Sequence, residues 1–75
     1  MPRKVRQLKA DLRRAGFVLM PGRGKGDHSM WQHPEISAAI VGLDGQDGDD
    51  ARRYMEKALT AALALVEETK RAQRT

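Results

Sequence analysis

The chain has 75 residues, with 14 Lys and Arg against 10 Asp and Glu, a formal net charge of +4 and no cysteine. That length allows a single domain in which roughly 60% of the unfolded surface can be buried, and without thiols neither disulfides nor thiolate zinc sites can form. The longest apolar run, Ala61 to Val66, is far short of the roughly 20 residues of a membrane span, and no apolar segment follows the basic N-terminus; a soluble, cytosolic protein without a cleaved signal is expected.

Val5, Leu8, Leu12 and Ala15 recur at helical spacing, which predicts a first helix with a narrow apolar stripe and Arg6, Lys9, Arg13 and Arg14 on its other faces. Gly16 stands where a left-handed residue ends a helix at no steric cost. Phe17 to Met20 is apolar and bounded by Gly16 and Pro21, too short for a helix, and reads as a buried strand. The loop Pro21 to Asp27 follows, and His28 to His33 then alternates: His28, Met30 and Gln32 on one face, Ser29, Trp31 and His33 on the other, with Pro34 ending the ladder.

Ile36 to Leu43 reads as a third strand, and Asp44 to Asp50 as a turn whose Asp49 or Asp50 caps the helix after it. From Ala51 to about Arg71 the helical period returns, with Met55, Leu59, Ala62 and Val66 on one stripe and Tyr54, Ala58, Ala61 and Leu65 on the next. The polar end, residues 71–75, is expected to fray. The whole is one α+β domain over residues 1–75, ordered α-β-β-β-α, with a three-stranded antiparallel sheet covered by two helices.

Charge is strongly ordered along the chain. Met1 to Gly26 carries eight Lys or Arg and one acid, Asp27 to Asp50 six acids and no base, and the remainder six bases and three acids. Such clustering suits nucleic acid or an acidic protein partner, and it suits equally a solvated surface on a small domain.

Within the loop, Gly22, Gly24 and Gly26 alternate with Arg23 and Lys25, so backbone N–H groups and two cations can meet a phosphate. No Lys-Ser/Thr pair opening a helix follows, so the segment fits neither a Walker loop nor a dinucleotide fingerprint. A hairpin made soluble by its charges has the same composition. His28 lies where this loop enters the strand, and a neutral imidazole there can take the proton of a ribose 2′-hydroxyl, so that the freed oxygen attacks the adjacent phosphate without a metal. A strand histidine with no chemical task is the alternative.

His33 falls on the opposite face from His28, and their spacing disperses metal ligands; no metal or other cofactor is expected. The acidic run lacks the glutamate that closes a calcium loop, that position being Met55. Trp31 can stack a base or anchor the core, and the scarcity of large apolar side chains favours the core.

Over roughly residues 5 to 43 the chain resembles the HicA toxins, small mRNA interferases of toxin–antitoxin pairs. The resemblance is carried by the helix, Ala15-Gly16-Phe17, the strand, then Gly26, His28 and Trp31, with His33-Pro34 as the ending. It implies a fold like that of double-stranded-RNA-binding domains, metal-independent cleavage of mRNA by a single catalytic histidine, which is His28 here, and a HicB-like antitoxin covering the His28 loop. Asp27 departs from the family pattern, which has Ser or Thr there. Arg23, Gly24, Lys25 and Gly26 then stand as phosphate ligands, with Arg6, Lys9, Arg13 and Arg14 as a possible RNA track. A non-catalytic RNA-binding module of the same fold and a basic protein-interaction domain are the alternative functions.

Overall fold

A computed structural model describes residues 3–21 and 28–73 of the chain. Helix α1 (Val5–Arg14) is followed by strands β1 (Val18–Leu19), β2 (Ser29–Gln32) and β3 (Ile40–Leu43) and by helix α2 (Arg53–Gln73). The strands form one antiparallel sheet in the order β1-β2-β3. The expected α-β-β-β-α architecture is therefore present.

The register Ser29↔Leu43 and Trp31↔Val41 places these side chains on one face. Trp31, Val41 and Leu43 there join Val5, Leu8 and Leu12 of α1 and Met55, Leu59, Ala62 and Val66 of α2 in the core. The Val5, Leu8, Leu12 stripe of α1 and the Met55, Leu59, Ala62, Val66 stripe of α2 are thus the ones buried. Beside the second stripe Tyr54 is half exposed and Ala61 exposed, so the apolar face of α2 is narrower than its sequence suggests.

The first strand is where expectation and structure part. Phe17 is buried, but Val18 and Leu19 are 50% and 52% exposed. Both helices lie on the same side of the sheet. Val18 pairs with Gln32, which pairs with Ile40, so it belongs to the uncovered face; Leu19 is on the covered face but at the sheet edge. The expected buried strand is therefore not found: burial of both faces requires a layer that the described elements do not supply on that side.

The third strand is shorter than its apolar run. Ala39 N–H donates to Ile36 O at 2.9 Å, closing a turn, and His33 N–H then donates to Ala39 O at 3.0 Å before the paired strand begins at Ile40. The Ile36 to Ala39 portion is the connection that follows Pro34.

The acidic loop caps a helix, but the first one. Val5 N–H donates to Asp49 O at 2.9 Å and Arg6 N–H to Asp47 O at 3.2 Å, satisfying first-turn donors of α1, while Lys4 N–H is taken by Gln7 Oε1 at 2.7 Å. The carboxylates expected to cap α2 are used elsewhere: Asp49 accepts from Gln46 N–H at 2.9 Å and Asp50 pairs with Lys4 Nζ at 2.6 Å. Arg52 O instead accepts the first donors of α2, from Met55 and Glu56.

Gly16 ends α1 with φ +94°, as the sequence indicates, and a Cβ there would lie 3.3 Å from His33 Nε2. Gly16→Ala is expected to lower stability by about 1–2 kcal/mol, from left-handed strain together with this close approach. Urea unfolding of the two proteins measures it, with the midpoint falling and the slope unchanged.

Candidate active site

Strand β2 distributes the two histidines differently. Because side chains alternate along it, Trp31 and His33 enter the covered side, where both are buried, while His28, just before the strand, is exposed. His33 packs edge-on against Phe17, with ring centroids 5.5 Å apart and planes at 89°, and its Nδ1 accepts the Glu35 N–H at 3.1 Å. It is a core side chain and does not border the cleft described next. Trp31 likewise is core, its Nε1–H donating to Ser29 Oγ at 3.1 Å.

His28 borders a cleft of about 710 Å³, lined also by Asp44, Gly45, Asp49, Asp50, Arg52 and Met55. That volume is within the range of small-molecule sites, roughly 300–1,000 Å³. The wall comes from the β3–α2 connection and the start of α2, brought to His28 because β2 and β3 are antiparallel and Ser29 lies opposite Leu43. Among the described lining residues three carboxylates stand against one guanidinium.

Each carboxylate, however, has a protein donor. Asp44 accepts the Tyr54 hydroxyl, Asp49 the Gln46 N–H, and Asp50 the Lys4 ammonium. The Asp44 bond stabilises the protonated phenol and holds Tyr54 above its ordinary pKa, burial adding in the same direction. Among the described residues no three His, Cys, Asp or Glu side chains converge to hold a metal ion.

The four cations of the possible RNA track do not border the cleft. Arg6 is exposed; Lys9 pairs with Asp47 at 2.6 Å; Arg13 places its guanidinium 5.1 Å from the Trp31 ring centroid; Arg14 approaches Asp11 at 3.7 Å. The Lys9 hydrogen bond, then its charge, hold the Asp47 carboxyl below its ordinary value. Lys9 therefore already has a carboxylate that an RNA phosphate would have to replace.

The expected phosphate ligands Arg23, Gly24, Lys25 and Gly26, together with Asp27, lie outside the described residues. Arg52 and the three aspartates beside His28 were missed as site residues, because the sequence GLDGQDGDDAR is fully accounted for by a turn and a helix start. The one available signal was the arginine two positions after the acidic run.

No helix among the described residues is long and apolar enough to cross a membrane. Compared with protein-family models, with curated proteins and with solved structures, the chain matches none.

Proposed function

We propose that this chain is a metal-independent endoribonuclease that cleaves mRNA, the toxin of a toxin–antitoxin pair, with His28 as general base. The observation that carries the reading is the exposed imidazole at a cleft large enough for a nucleotide. Neutral His28 takes the proton of a 2′-hydroxyl, the 2′-oxygen attacks phosphorus, and the bond to the 5′-oxygen breaks; that oxygen takes a proton from water. The products are a 2′,3′-cyclic phosphate and a 5′-hydroxyl. Arg23 and Lys25 with the N–H groups of Gly24 and Gly26 serve as phosphate ligands, and Arg6 and Arg13 extend the electrostatic track.

The partner in this reading is a HicB-like antitoxin that lays acidic or polar groups over the His28 loop and competes with RNA. Trp31, being buried, is not one of its anchors.

The test is product analysis. RNA incubated with the protein in EDTA is expected to be cut as fast as without chelator and to carry 2′,3′-cyclic phosphate ends. Ends with a free 3′-hydroxyl, or full inhibition by EDTA, would refute the route. The carboxylates in the cleft wall favour one competitor, a non-catalytic RNA-binding module, since they disfavour close approach of a scissile phosphate; binding without any cleavage identifies it.

A further inference from the structure

The His28 cleft contains one cation on its described wall, and that cation was not among the expected phosphate ligands. We propose that Arg52 binds the phosphate that His28 acts on. The assignment rests on the ribonuclease reading for naming that phosphate as RNA's, while the anion site itself stands on the geometry.

Asp44, Asp49 and Asp50 each accept from a donor of the protein: the Tyr54 hydroxyl, the Gln46 N–H at 2.9 Å and the Lys4 ammonium at 2.6 Å. The Arg52 guanidinium, by contrast, makes no ion pair or hydrogen bond with any described residue. Arg52 and His28 line the same cleft, and a ligand able to meet a guanidinium and an imidazole together is an anion with several acceptor oxygens.

The backbone under Arg52 is firmly held. Ala51 is buried and its N–H donates to Arg3 O at 2.6 Å, and Arg52 O accepts from Met55 and Glu56 at 3.0 and 3.2 Å. A long side chain thus springs from a fixed point, which lowers the cost of setting its planar fork against two phosphate oxygens. During cleavage the phosphorane carries an extra negative charge, and a guanidinium in the cleft offsets it where that charge develops.

The experiment uses inorganic phosphate as its probe and the His28 ring resonances as its readout. Phosphate titrated into the wild-type chain is expected to shift those resonances saturably. Arg52→Gln should weaken the apparent affinity about tenfold, with Arg52→Lys between, while thermal melting stays the same because the side chain is exposed and forms no ion pair or hydrogen bond with a described residue. Cleavage of RNA by Arg52→Gln should fall on the order of 10²-fold. Equal phosphate affinity in Arg52→Gln and wild type, or no response at His28 in the wild type, overturns the assignment. Its failure is separable from that of the ribonuclease reading. Arg52-dependent phosphate binding in a protein that cuts no RNA keeps the site and removes the reading; full cleavage by Arg52→Gln alongside an inactive His28→Ala keeps the reading and removes Arg52.

Discussion

His28→Ala is expected to reduce RNA cleavage and growth inhibition by at least 10²–10⁴-fold, the range that a positioned general base contributes. The side chain is exposed and stands just before β2, so its removal leaves the core and the register of the sheet untouched. RNA affinity should change little, because the imidazole acts on a proton that moves in the transition state rather than on the bound ground state. Three measurements are therefore needed on the same preparation: cleavage rate, RNA dissociation constant and thermal midpoint. Cleavage by the variant at near wild-type rate removes His28 from the mechanism. A fall in rate accompanied by an equal fall in affinity assigns it to binding instead.

His33→Ala is expected to do the converse. Its ring is 4% exposed, stands edge-on to Phe17 and accepts the Glu35 N–H. Truncation opens a cavity beside Phe17, forfeits the ring pair and leaves a donor without its acceptor, a combined cost of about 2–4 kcal/mol. A domain of 75 residues has only about 4–11 kcal/mol in total. The variant should thus melt far below the wild type, and a fraction of it should be unfolded at 37 °C. Cleavage per folded molecule, measured well below its midpoint, should remain close to normal. Loss of cleavage at a temperature where circular dichroism shows the variant folded would place His33 in the chemistry and refute its assignment to the core. An unaltered melting curve would contradict the packing described here.

The contrast between the two histidines was legible in the sequence because a strand alternates by necessity. Once residues 28–33 are extended, Trp31 and His33 share a face and His28 does not share it. What alternation does not say is which face meets the helices. The packing of α2 on β3 decided that, by burying Val41 and Leu43 and with them the Trp31 side of the neighbouring strand. The same choice left Val18 and Ile40 exposed at 50% and 42% on the other face. The expected burial of Phe17 to Met20 fails at Val18 for that reason and at Leu19 because the strand is the sheet edge: an apolar tetrapeptide looks the same whether the sheet is covered once or twice.

The cleft beside His28 was out of reach of the sequence. Its wall comes from residues 44–55, separated from His28 by the whole β2–β3 hairpin, and its charge depends on which donors the acidic loop finds. Lys4 reaches Asp50 and Lys9 reaches Asp47 across 46 and 38 positions, and main-chain donors of Val5 and Arg6 meet the carbonyls of Asp49 and Asp47. Composition correctly marked that loop as a turn and a cap, yet assigned its caps to the wrong helix, since a free N–H can be satisfied by any acceptor that packing brings near.

By itself the sequence determined both helices and their buried stripes, the left-handed Gly16, the alternation of β2 and the candidate base His28. Each of these follows from interactions among residues a few positions apart, whose geometry is nearly the same in any fold. Only the tertiary structure decided which sheet face is open, which helix the acidic loop caps, and that Arg52 stands with His28. Those depend on contacts between segments distant in the chain, and a linear pattern of apolar and charged residues carries no information on which of several compatible segments will meet.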